Sequence, residues 1–193
     1  DWMAERTKPS LQLDRARAAE VFRDLDRLTL PNGLEVAQLN RHETDYVYRE
    51  IFQDRCYLRH GIRLPETGTV IDIGANIGLF SLFVRSEAPA VDVLAYEPSP
   101  AAFRALKANC EAYGPTLHPI NAGVSDRRGV ATLTCYEKSS VFSTFHADAA
   151  EDRAAIRAVA TNVAREQWRE NTETVDGLVD ELLVDRLTAR AIE

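Results

Sequence analysis

Cysteine is scarce in this sequence and is placed for neither crosslinking nor metal binding. Cys56, Cys110 and Cys135 are odd in number and far apart, with no CxxC and no Cys/His pair at ligand spacing. Neither a disulfide framework nor a metal site is expected, and reduced thiols of a cytoplasmic protein are the reading that remains. Basic charge is in deficit: 23 Lys and Arg stand against 30 Asp and Glu, a net charge of −7. That balance argues against a main ligand that is nucleic acid or an anionic membrane. Long hydrophobic runs are missing too. No stretch approaches the roughly 18 apolar residues needed to span a bilayer, and no charged-then-apolar leader opens the chain. The start at Asp1 rather than Met reads as a processed product or a piece of a longer polypeptide. Internal repeats and low-complexity tracts are absent. The remainder is ordinary: 193 residues, 45% hydrophobic and 27% charged, enough for one buried core.

The first 27 residues are charged, with Ala18, Val21, Phe22, Leu25 and Leu28 at helical spacing, which predicts an amphipathic helix. Leu30-Pro31-Asn32-Gly33-Leu34 is turn chemistry between short apolar runs and predicts a hairpin whose second arm runs from Leu34 to Leu39. A helix is expected from Glu43 to about Leu58, closed by Arg59-His60-Gly61. These residues, 1–66, read as an N-terminal cap on an α/β core covering 67–193.

The core has a β-α-β-α-β rhythm. Thr69 to Ile73 is a short β-branched run of the kind that is buried on both faces of a sheet, and a glycine-bearing turn and a helix from Ile77 to Arg85 follow. Val91 to Tyr96 is the next strand, Ala101 to Tyr113 the next helix and Leu117 to Asn121 a third strand. Such alternation implies a parallel sheet with right-handed crossovers. Beyond Gly123 the expected elements are an antiparallel strand from Val130 to Tyr136, a charged helix from Ala149 to about Arg169, and a helical tail from Thr174 to Glu193. Arg153, Arg157 and Arg165 on that charged helix could meet an acidic carrier protein, though a solvated face is the plainer reading.

Chemistry concentrates in Asp72-Ile73-Gly74-Ala75-Asn76-Ile77-Gly78, a strand end, a turn and a helix start. The glycines let a ligand approach the backbone, and the helix start offers free N–H groups. Glu97 lies 25 residues past Asp72, just beyond the second strand, where a carboxylate can accept both hydroxyls of a ribose. A dinucleotide site calls for G-x-G-x-x-G, but Asn76 stands where the second glycine belongs, and Asp72 would repel a pyrophosphate. S-adenosylmethionine carries an ammonium and a sulfonium and no phosphate, so the residues favour it over NAD. Asp72 could instead be a turn carboxylate, Glu97 an exposed loop acid, and Gly74 and Gly78 simple packing positions.

Taken together, Asp72 to Gly78, Tyr96-Glu97-Pro98 and Asn121-Ala122-Gly123-Val124-Ser125-Asp126 resemble the FkbM family of S-adenosylmethionine-dependent methyltransferases, as does the upstream run from Asn40 to Phe52. More narrowly, the blocks are similar to O-methyltransferase domains embedded in polyketide synthases and nonribosomal peptide synthetases. The resemblance implies a class I, Rossmann-like parallel sheet with helices on both faces. It also implies methyl transfer to a hydroxyl of an intermediate tethered to an acyl or peptidyl carrier protein, among neighbouring megasynthase domains in natural product biosynthesis. By position, Asp72, Gly74 and Asn76 would line the methionine end, Glu97 would hold the ribose, and Asn121, Ala122 and Val124 would flank the adenine, with Gly78 and Pro98 also in the cofactor site. Glu43 and Tyr46 would contribute from the upstream helix. His42 and His146 are the candidate bases; His60 reads as a helix cap, and His118 lies between a strand and Pro119. The acidic D-V-E-G-like fourth-strand segment of the family has no counterpart here, so the fold reads as incomplete at its C-terminal side. A catalytically inactive structural module of a megasynthase and an NAD-dependent oxidoreductase are the alternatives.

Overall fold

A computed structural model describes residues 11, 13, 15–136, 140, 143–145, 154, 158 and 189–192. The chain divides into two compact units, Asp1–Arg127 and Arg128–Glu193. The first contains α1 (Arg15–Val21), β1 (Arg27–Thr29), β2 (Glu35–Ala37), α2 (Arg41–Tyr48), β3 (Gly68–Ile73), α3 (Leu79–Glu87), β4 (Val91–Tyr96), α4 (Pro100–Tyr113) and β5 (Leu117–Ile120). In the second, β6 (Leu133–Tyr136) pairs antiparallel with β7 (Ala189–Ile192).

The N-terminal helix is shorter than its periodicity predicts. It ends at Val21, Asp24 takes a left-handed conformation, and Leu28 belongs to β1. Apolar residues continue at spacings of three and four across the break because both elements face one core. The hairpin forms as expected, with Leu28 opposite Val36. Its turn is closed by Asn32, whose Oδ1 accepts the Leu34 N–H at 3.2 Å, and by Gly33 at φ 85°. Asn40 caps α2, its Oδ1 accepting the N–H groups of His42 and Glu43. The helix expected to reach Leu58 gives way to a π-helical turn at Arg49–Gln53. It breaks at Arg55, left-handed at φ 49°, and a 3₁₀ segment follows at Cys56–Gly61.

The expected α/β core is present, a three-stranded parallel sheet in the order β3-β4-β5, flanked by helices. Successive right-handed crossovers advancing in one direction place α3 and α4 on the same side, where a side chain at Gly78 would meet Leu106 of α4. That side is the core: Val91, Val93 and Ala95 of β4 pack with Leu82, Phe83, Val84, Ala105 and Leu106. The strand at 69–73 departs from the expectation of burial on both faces. Among the described residues it is one of the two edges of the sheet, with Ile71 60% and Ile73 63% exposed while Asp72 between them is buried. The open face is consistent with a fold whose second helical layer is not made by the described residues.

Buried polar bonds tie the hairpin to the core. Asn109 of α4, fully buried, accepts the Ala37 N–H at 2.7 Å and donates to the carbonyls of Ala37 (3.0 Å) and Ile77 (2.7 Å). It thus links β2 to the turn before α3. Asn109→Ala leaves three backbone groups without these partners, each worth about 1–3 kcal/mol when buried and unpaired. A loss of about 3 kcal/mol is expected, read as a lower urea midpoint at unchanged slope.

The expected strand at 130–136 is found at Leu133–Tyr136. The helix expected over 149–169 falls largely outside the described residues; Ala154 and Ala158 are helical. The expected helical tail is corrected at its end, where Ala189–Ile192 is strand because β6 supplies an antiparallel partner.

Candidate functional site

The site lies at the carboxyl ends of β3 and β4. The chain leaves β3 through Gly74 at φ 74°, Asn76 at φ 51° and Gly78 at φ 89° before α3 begins. The N–H groups of Gly74 and Ala75 both donate to the Tyr96 carbonyl, at 3.0 and 2.9 Å, so the turn is sewn to the end of β4. The two glycines have different jobs. A Cβ on Gly74 would meet nothing within 4 Å, so that position is open; one on Gly78 would come within 2.7 Å of Leu106 Cδ1. Gly78 therefore serves the packing of the turn onto α4.

Two buried acids face this turn. Asp72 is 8% exposed and accepts a hydrogen bond from Ser81 Oγ at 2.6 Å. Burial pushes its carboxyl above the usual range, partly offset by Ser81. Glu97 is 6% exposed; its Oε2 accepts the Asn76 N–H and its Oε1 the Ser99 N–H, both at 2.8 Å. Its carboxyl is also raised, by burial first, with the two N–H groups lowering it and Asp72 adding to the rise. A carboxylate oxygen offers about two acceptor positions, so each Glu97 oxygen keeps one for a ligand. Glu43 Oε1 accepts from Asn76 Nδ2 at 3.1 Å, and Asn121 Nδ2 donates to the carbonyls of Glu97 (2.8 Å) and Pro98 (3.4 Å).

Comparison with known proteins finds relatives of this chain by sequence. Over 138 residues the chain is 44% identical to the 31-O-demethyl-FK506 methyltransferase FkbM of Streptomyces tacrolimicus, covering 72% of the chain and 53% of that protein. The chain is FkbM-like. It is also 43% identical over 164 residues to the AMB antimetabolite synthetase AmbE of Pseudomonas aeruginosa, covering 84% of the chain and 8% of AmbE. A third relative, methyltransferase sdnD of Sordaria araneosa, is 36% identical over 101 residues, 51% of the chain and 38% of sdnD. The chain thus spans about half the length of the FkbM protein and a small part of the synthetase. No family model and no solved structure matches it.

In the FkbM-like chain, the fold brings Glu43, Asn76, Glu97, Pro98 and Asn121 into one hydrogen-bonded cluster, with Asp72 and Gly74 at the adjoining strand end. Tyr46 lies one turn after Glu43 on α2, half-buried; Ala122 donates its N–H to the Ile120 carbonyl, and Val124 beyond it is exposed. His42 is exposed on the first turn of α2, and His146 lies outside the described residues. His60 is left-handed at φ 58° in the 3₁₀ segment, and His118 contacts Asp92 at 2.9 Å on the sheet surface. Sequence reasoning missed Ser81 and Ser99. A serine on the inner side of α3, among Leu79, Leu82 and Phe83, was the available signal for the first; Ser99 acts through its backbone, which no side chain betrays. No helix of the described residues is long and apolar enough to cross a membrane.

Proposed function

We propose that this chain binds S-adenosylmethionine at the ends of β3 and β4, as part of an enzyme that methylates a hydroxyl oxygen. The observation that carries the reading is Glu97, held by the backbone N–H groups of Asn76 and Ser99 with acceptor positions to spare, next to the buried acid Asp72. Two desolvated acids favour a cationic ligand and disfavour a pyrophosphate. Glu97 and Pro98 take the ribose, Asp72 and Gly74 the methionine end, with Asn76 bridging to Glu43, and Asn121, Ala122 and Val124 flank the adenine. Tyr46 contributes from α2, and Gly78 seats the turn.

The bound cofactor supplies an activated methyl group on a sulfonium. The chain orients it for in-line attack, where proximity and alignment carry most of the rate. The acceptor hydroxyl must lose its proton, and His42 beside Glu43, or His146, takes it. FkbM is a 31-O-demethyl-FK506 methyltransferase by name, which supports oxygen as the nucleophile, and AmbE is a synthetase, which supports a megasynthase setting. The acceptor is accordingly a hydroxyl on a polyketide or peptide intermediate carried by an acyl or peptidyl carrier protein. Cys56, Cys110 and Cys135 are all unbridged, which fits the cytoplasm.

The test is transfer of label from methyl-labelled S-adenosylmethionine to hydroxyacyl carrier proteins. A labelled methyl ether is expected, reduced at least about tenfold in His42→Ala or His146→Ala if that residue is the base. Cofactor binding without any transfer would favour a structural module instead.

A further inference from the structure

A ladder of aromatic rings joins α2 to α3. Tyr48 stacks on Phe52 with centroids 5.0 Å apart, Phe52 meets Phe83 edge-on at 5.4 Å, Phe83 lies 6.3 Å from Phe80, and Phe80 lies 4.7 Å from Tyr57. The ladder starts in the core: Tyr48, at its α2 end, and Phe83 are buried. The outer rung is different, for Tyr57 is 51% exposed.

Its position is fixed with care. Tyr57 sits in the 3₁₀ segment, which the chain enters through Arg55 in a left-handed conformation that a residue other than glycine rarely adopts. The Arg55 guanidinium is clamped there, 3.2 and 2.8 Å from the two carboxylate oxygens of Glu87 and 5.2 Å from the Phe83 ring centre. This two-pronged pair pins the 3₁₀ segment to α3 and sets the Tyr57 ring against Phe80. Phe80 is the second residue of α3, immediately after the Gly74–Gly78 turn. Burial, with the neighbouring Cys56, Glu50 and Asp72, holds the Tyr57 phenol above its usual range, so it stays neutral. A half-exposed aromatic ring packed on the first turn of α3, where Ser81 beside Phe80 holds the buried Asp72, suits a cation, which the ring attracts through its quadrupole.

We propose that Tyr57, backed by Phe80, is a cofactor-contacting residue that forms an aromatic wall at the methionine end and stabilises the positive charge there, with Arg55 and Glu87 as its positioning pair. This rests on the S-adenosylmethionine reading above and adds a residue to it.

S-adenosylmethionine and S-adenosylhomocysteine differ by a methyl group and the charge on sulfur, so calorimetric titration with both isolates the charge. In the 193-residue chain, Tyr57→Leu should weaken S-adenosylmethionine about tenfold and S-adenosylhomocysteine by less than about threefold. Tyr57→Phe should keep both affinities within about twofold, because the ring remains. Glu87→Gln, which frees Arg55 while leaving the ring, should show the same preferential loss in smaller measure, and gives the answer even if Tyr57→Leu does not fold. Equal loss of both ligands, or no loss, in Tyr57→Leu and Glu87→Gln overturns the proposal. Failure of the unaltered chain to bind either ligand overturns the cofactor reading itself, a separate outcome.

Discussion

Glu97→Gln is expected to weaken S-adenosylmethionine and S-adenosylhomocysteine binding about 100-fold, the cost of roughly two hydrogen bonds to a charged acceptor. The carboxylate has four acceptor positions and spends two on the N–H groups of Asn76 and Ser99. In the proposed site the other two remain for adjacent ribose hydroxyls. An amide at this place keeps the volume but turns one oxygen into a donor, which must face the Asn76 N–H or the Ser99 N–H. Either choice sets donor against donor and loosens the turn that Gly74 and Asn76 form. Glu97→Asp retains the charge but withdraws it by one methylene, and should also lose most of the affinity. Calorimetric titration with S-adenosylhomocysteine reads both variants. Affinity unchanged in Glu97→Gln would mean that Glu97 is only a brace for the turn.

Asp72→Asn should move stability and binding in opposite directions. Burial raises the Asp72 carboxyl above its ordinary value of 3.8. In the window above that value the folded chain holds a proton that the unfolded chain has released. Stability contributed by this group therefore falls as pH rises through the window, and at neutral pH the charged carboxylate is a net cost. Asparagine is uncharged and can still accept the Ser81 hydroxyl bond, so the variant should melt a few degrees higher near pH 7. It should also bind the cationic cofactor at least about tenfold more weakly, having lost an opposite charge in a poorly hydrated site. The same linkage makes wild-type affinity fall as pH drops into the raised titration range of Asp72 and Glu97, since protonation removes the charges that attract the ligand. The fall should be shallower in Asp72→Asn. Melting temperatures and titrations across acid pH test all of this. A variant both less stable and equally tight in binding would contradict it.

The parts legible in the sequence are those with local causes. β3, β4 and α4 are marked by β-branched runs and by Pro and Gly punctuation, and they stand within two residues of their expected bounds. Asp72 and Glu97 stand out as candidates because an acid at the end of a largely apolar strand has few structural reasons to be there, and both are buried. What escaped has distant causes. The break at Arg55 depends on Glu87, 32 residues away, and nothing in the local periodicity of 43–58 announces it. Leu28 keeps the helical spacing of α1 while lying on a strand, since the same core selects apolar residues in both. The open face of β3 was misread because Ile71 and Ile73 look like core residues; the alternation with Asp72 was the clue that the two faces differ. Glu97 owes its orientation to backbone N–H groups whose direction is set by turn curvature, which side-chain identity encodes only through Gly74 and Gly78.

The most direct measurement is a calorimetric titration of the chain with S-adenosylhomocysteine, run beside Asp72→Ala and Glu97→Ala and repeated with NAD. The account predicts binding at micromolar concentration by the unaltered chain, loss of it in both variants and none of NAD. A folded chain that ignores S-adenosylhomocysteine, or one that binds it undiminished without either acid, would contradict the assignment of the site.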